Sequence, residues 1–159
     1  MRKIIYSIAV LSIMSACKTQ QVVEPGDDKQ VVVSLDLINV ENDKVMVTVD
    51  PGKFTDNNTT FYIPKTVPGT YSVDNYGKFI EDLKAFDYNG KELQVSQKDN
   101  NMWVFSNAIE LDKITYWVND SFDVEGEEGI FSPAGTNILE NENFMLNLNG
   151  FVGYFKYHE

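Results

Sequence analysis

Asn89-Gly90 constrains this chain more than any other pair of residues. A two-residue reversal between strands needs positive φ at both central positions, and Asn-Gly supplies it at low steric cost. Residues 83–88 and 91–97 flank the dipeptide and read as two strands of one hairpin. The same grammar recurs along the chain. Residues 44–49, KVMVTV, place Val45, Val47 and Val49 on one face with a period of two, which is the signature of a half-buried strand. Glu41-Asn42-Asp43 joins that strand to residues 31–37, and Pro51-Gly52 closes it. Residues 61–63 form a further strand that stops at Pro64, because proline has no N–H for a ladder. Asp99-Asn100-Asn101 turns the chain into Met102-Trp103-Val104-Phe105, and residues 114–118, ITYWV, follow. A second hairpin is expected from residues 143–148 and 151–157 around Asn149-Gly150. Only residues 75–82 show helical spacing, through Tyr76, Phe79, Ile80 and Leu83, and they predict one short helical turn. Short strands at intervals of about 8–12 residues predict an all-β fold. We expect an antiparallel β-sandwich or curved sheet of about 8–10 short strands with at most one short helix.

The size permits this. The chain has 159 residues, 43% hydrophobic and 13% aromatic, enough for one domain with its own core. Such a chain buries roughly two-thirds of its unfolded surface. Cys17 is the only cysteine, so no intrachain disulfide is available and packing must hold the fold.

The first residues belong to a different program. Arg2-Lys3 is a basic start, and residues 4–14 are an apolar run too short to span a bilayer as a helix. The run ends in Met14-Ser15-Ala16-Cys17. Small residues before a cysteine at that point form the pattern of a bacterial lipoprotein signal. We therefore expect residues 1–16 to be a signal peptide, Cys17 to carry the lipid, and residues 17–29 to be a polar tether. Residues 30–159 are the folded domain. The expected location is the bacterial cell envelope, lipid-anchored on the periplasmic side or the outer-membrane surface. Loss of Arg2 and Lys3 with the leader takes the net charge from −11 to −13. A surface of that sign repels phosphates, so no nucleic-acid partner is expected.

The chain offers little chemistry of its own. His158 is its one histidine. A Ser-His-Asp triad would have to rely on that terminal residue, and no Gly-x-Ser-x-Gly elbow or phosphate-binding glycine loop is present. No catalytic or metal-binding residue is assigned. Asp120, Asp123, Glu125, Glu127 and Glu128 cluster around Gly126 and Gly129, a set of oxygen ligands for calcium in principle. Their spacing is not that of an EF-hand, and a charge run ordinarily marks a solvated loop. Tyr71, Tyr76, Trp103, Trp117, Phe151, Tyr154 and Tyr157 are candidates to line a glycan or peptide groove. Most of them alternate with polar residues in strands, which favours core or interface packing.

Residues 61–93 carry one further signal. Pro68-Gly69-Thr70-Tyr71 is a turn, with Pro68 presetting φ and Gly69 accepting the positive φ of the next corner. Asp74-Asn75-Tyr76-Gly77-Lys78 follows, then the hairpin with Ala85, Asp87, Gly90 and Lys91, then Asp99 and Trp103, and later Tyr116. In this order and spacing the set resembles the N-terminal domain of the glycyl aminopeptidase family of zinc metallopeptidases, whose members usually also carry a PDZ domain. Where that family often has a tryptophan ahead of the Pro-Gly corner, this chain has Thr66 and Val67. The resemblance implies a β-rich accessory domain that packs on a thermolysin-like catalytic domain and helps wall its substrate cleft. It marks Pro68, Gly69, Tyr71, Tyr76, Lys78, Gly90 and Trp103 as motif or interface positions. It also implies zinc, but only in that catalytic domain, because a single histidine cannot supply a His-Glu-x-x-His site. The catalytic domain is the expected partner in cis, and the chain is expected to be a truncated or excised piece of the whole. The competing reading is a free-standing surface lipoprotein that binds glycan or protein through an aromatic face.

Overall fold

The structure is a computed structural model that describes residues 30–122 and 134–156. Cys17, the tether, Asp123, Glu125, Glu127, Glu128, Tyr157 and His158 lie outside the described residues. Eleven strands are described: β1 (Val32–Glu41), β2 (Lys44–Asp50), β3 (Thr59–Tyr62), β4 (Ile80–Asp87), β5 (Glu92–Leu93), β6 (Val95–Asp99), β7 (Met102–Phe105), β8 (Leu111–Asn119), β9 (Asn137–Leu139), β10 (Asn143–Met145) and β11 (Tyr154–Phe155). All their pairings are antiparallel. A five-stranded sheet runs β1-β2-β8-β4-β5, a four-stranded sheet runs β11-β3-β7-β6, and β10-β9 is a small third sheet. The all-β sandwich expected from the sequence is the fold observed.

The alternation of β2 explains its place. Val45, Val47 and Val49 are completely buried. Across the ladder, Tyr116 lies opposite Val47 and Val118 opposite Val45. The other sheet supplies Phe61, Trp103, Phe105 and Phe155. Phe61 is the meeting point, with ring centroids 5.8 Å from Tyr116, 4.9 Å from Phe155 and 6.3 Å from Trp103. Each such side chain removed from water contributes about 1.5–3 kcal/mol before entropy is subtracted. The β1–β2 reversal also forms where expected, with Asn42 and Asp43 both at positive φ.

Three local expectations are corrected. At residues 89–90 only Gly90 takes positive φ, 78°. Gly90 N–H donates to the Asp87 carbonyl and Asp87 N–H to the Lys91 carbonyl, both at 2.9 Å. The Asp87 carboxylate accepts the Asn89 and Lys91 amides at 2.8 Å. That side chain satisfies the turn, so a longer loop with a glycine bulge replaces the two-residue turn. The strand expected over residues 91–97 is split: β5 pairs with β4, while β6 pairs with β7 in the other sheet. The hairpin around Asn149-Gly150 does not form. Leu148–Gly150 is a 3-10 turn capped by the Asn147 side chain, β10 pairs back to β9, and β11 joins β3. Gly150 is buried against the Tyr76 ring, and the Phe151 side chain is fully buried in the core, so tertiary packing overrides the local turn preference.

The helical turn predicted near residue 76 exists in shortened form. Tyr76–Phe79 is a single 3-10 turn, and Ile80 already belongs to β4. Ile80 pairs with Val118, so ladder bonds take the chain before an α-helix can propagate.

Candidate functional site

Residues 64–79 form the most built segment outside the two sheets. Pro64 ends the hydrogen-bonding capacity of β3. Asn101, itself buried, takes over by donating from Nδ2 to the Ile63 and Pro64 carbonyls, each at 3.1 Å. The Ile63 amide donates back to the Asn101 carbonyl at 3.0 Å. The chain then turns at Pro68-Gly69. Thr70 N–H donates to Val67 carbonyl at 3.2 Å, and Gly69 has φ 95°. This is the turn that the Pro-Gly pair predicts. The loop is closed at its base by Asp74 and Asn75, whose amides both reach the Lys65 carbonyl, at 2.8 and 2.9 Å.

Two side chains staple the loop from beneath. Ser72 Oγ sits 2.9 Å from both carboxylate oxygens of the buried Asp74. Tyr76 Oη donates to the Ala134 carbonyl at 3.0 Å, and its ring covers Gly150. Burial, reinforced by the Asp74 carboxylate, pushes the Tyr76 phenol up to about 12. Gly77 packs so closely on the β6–β7 turn that a Cβ there would lie 1.8 Å from the Asn100 carbonyl oxygen. Beside this contact lies a polar cleft of about 270 Å³ lined by Lys65, Asn75, Asp99, Asn100 and Asn101.

Tyr71 stands apart. Its φ is 57°, yet its side chain is fully exposed. A left-handed conformation costs a bulky residue about 1–3 kcal/mol and persists only where the surroundings impose it. Val73, two residues on, is 67% exposed.

The seven motif positions therefore divide. Pro68, Gly69, Tyr71, Tyr76 and Lys78 lie in one loop and its closing turn; the Lys78 ammonium sits 5.2 Å from the Phe79 ring centre. Gly90 lies at the opposite end of β4, and Trp103 is buried between the sheets. The aromatic set divides as well. Tyr76, Trp103 and Phe151 are core residues, whereas Tyr71 and Tyr154 face solvent. Tyr154 stacks on Tyr62 with centroids 5.4 Å apart. Among the described residues, this set is split between core and surface and does not make one continuous groove. Asp120 is buried, with its carboxylate accepting the Phe122 and Ile138 amides at 2.5 Å. The bond from Ile138 ties the residue after β8 to β9. Among the described residues no group of three or more His, Cys, Asp or Glu is gathered to hold a metal.

The sequence places Asn101 in a turn and Asp74 and Gly77 within the motif run, but gives none of the three a role of its own. The signal for Asn101 was indirect: a proline after a strand leaves carbonyls that need donors from elsewhere. Nothing local says which residue supplies them.

The fold and this loop define a class: a β-sandwich module with a stapled surface corner and, among the described residues, no assembled catalytic centre. The family model of the peptidase M61 N-terminal domain matches residues 32–159, and the chain belongs to that family. No curated protein gives a significant match. Among solved structures, an aminopeptidase N family protein from Idiomarina loihiensis superposes with a TM-score of 0.65 at 18% identity, over 80% of this chain and 20% of that one. At that identity the likeness shows the fold. The chain spans about a fifth of the length of that neighbour.

Proposed function

We propose that this chain is the non-catalytic N-terminal accessory domain of a membrane-anchored, zinc-dependent aminopeptidase-like metallopeptidase of the glycyl aminopeptidase type. It packs on the catalytic domain and helps shape the substrate cleft. The observation that carries the reading is the family match across the whole sandwich, residues 32–159. The ordered motif from Pro68 to Trp103 supports it from the residues themselves.

The residues of this chain do not fit the zinc that such an enzyme uses. His158 is the single imidazole, and the single thiol is Cys17 in the lipoprotein motif. Zinc belongs to the catalytic domain. The contribution of this chain is a rigid wall and a shaped edge, since catalysis depends on holding substrate in register. Cys17 gives the assembly its lipid anchor in the cell envelope, with residues 18–29 as spacer. The dispersal of Tyr76, Trp103 and Phe151 into the core weighs against a glycan-binding aromatic face.

The test is peptidase activity with zinc added, measured on this chain alone and on the product of the complete reading frame that contains it. Activity confined to the longer product supports the reading. Activity in neither replaces it with a lipid-anchored binding module. Replacing Cys17 by Ser is expected to release the protein from membranes into the aqueous fraction; retention overturns the anchor.

A further inference from the structure

We propose that residues 68–73 are a preformed docking point through which this domain grips its catalytic domain, with Tyr71 as the anchor. The inference rests on the function proposed above and names the surface that performs it.

The argument begins with backbone conformation. Besides Tyr71, the non-glycine residues at positive φ among those described are Asn42, Asp43, Asn75, Asp82 and Asn141. Asn and Asp enter this region readily because their short side chains bond locally. Tyrosine has no such compensation. Tyr71 is held there by the Pro68-Gly69 turn on one side and the Lys65–Asp74 clamp on the other. Its ring then points entirely into solvent, where it gains nothing within the domain. A fold that keeps a strained backbone in order to present a bare ring has the form of a binding device.

The surroundings fit a protein surface as the occupant. Residues 66–73, TVPGTYSV, carry no charge in a chain of net charge −11. Interface centres are depleted of charge and enriched in tyrosine. Val73 adds a second exposed apolar group, and Asp74 is buried beneath the loop. Because the loop is already clamped, little ordering entropy is lost on contact. The occupant we assign is the catalytic domain: the family is an N-terminal domain, and the matched region is a fifth of the solved neighbour, so most of such a polypeptide lies beyond this sandwich. Ile38 is the natural control. It is 91% exposed, but it sits at ordinary φ in the β1 irregularity, where the Asp36 carboxylate accepts its amide at 3.0 Å.

The test places a photo-crosslinking phenylalanine analogue at position 71, or at position 38, in the complete polypeptide. Crosslinked peptides are then mapped by mass spectrometry. Crosslinks from position 71 to the catalytic domain, and none from position 38, are expected. A catalytic domain that is present but crosslinks only elsewhere, or crosslinks from position 71 only to a second copy of this chain, overturns the inference and leaves the proposed function standing. A frame with no catalytic domain overturns both. In parallel, Tyr71→Gly is expected to hold or raise the melting temperature of the chain, because it relieves the strained φ. A fall of more than about 3 °C, the size of a lost stabilising contact in a domain of this length, overturns the idea that Tyr71 is held for docking.

Discussion

The sandwich centred on Phe61 and the corner at residues 64–79 are ordered by different physics. The sandwich is held by area. Val45, Val47 and Val49 on β2 face Phe61, Trp103 and Phe105 across the core, and any apolar side chain of similar volume would serve. The corner is held by addresses. Asn101 must reach two particular carbonyls, Ser72 must meet Asp74, and Gly77 must remain bare against Asn100. A region held by area should degrade gradually and globally. A region held by addresses should fail locally at single positions.

The largest expected effect tests the first half of that contrast. Phe61→Ala removes the ring that joins the two sheets and is expected to cost about 4 kcal/mol. Chemical denaturation should show one cooperative transition moved to lower denaturant. A new intermediate would mean that the sheets are separable. Gly77→Ala comes next, at about 3 kcal/mol, because the added methyl meets backbone rather than a mobile side chain. Hydrogen exchange should accelerate across residues 64–79 well before β2 and β8. Equal acceleration in both regions would erase the distinction. Asn101→Ala takes the side-chain donor away from the buried Ile63 carbonyl and the part-buried Pro64 carbonyl and is expected to cost about 2 kcal/mol, again concentrated in the corner.

The smallest effect has a pH signature. Tyr76→Phe loses the hydroxyl bond to Ala134, about 1 kcal/mol. In the folded state the Tyr76 phenol is raised from 10 to about 12, so the neutral form is the one the fold favours. Its contribution is fully present below pH 10 and lost as pH rises from 10 to 12. Tyr116, raised by burial, pulls in the same direction. Melting curves of the wild type should therefore fall over that window, and Tyr76→Phe should fall less steeply. An unchanged slope would show that Tyr76 does not report on the corner.

Legibility followed the same divide. The strand over residues 44–49 was readable because a period of two is a local property that burial then confirms, and residues 102–105 were readable as an apolar run that follows a turn. The Pro68-Gly69 turn was readable because two adjacent residues dictate it. The two Asn-Gly pairs were read less well. At Gly90 a neighbouring carboxylate changed the turn, and at Gly150 the ring of Tyr76, distant in sequence, buried the glycine. Of the candidate site, Pro68, Gly69, Tyr71, Tyr76 and Lys78 came together, while Gly90 and Trp103 proved to serve the hairpin and the core. The family motif named positions without distinguishing those tasks.

By itself the sequence determined the class of fold, the absence of a histidine pair, and the position of the corner. Each follows from composition or from residues in immediate succession. Only the tertiary structure decided that residues 92–93 and 95–99 part into different sheets, that Asn101 closes the bend at Pro64, and that Tyr71 is strained and bare. Those outcomes depend on which distant carbonyl, ring or backbone segment arrives at a given point. Long-range arrivals are fixed by the whole core's packing, a free energy shared among residues that no local pattern records.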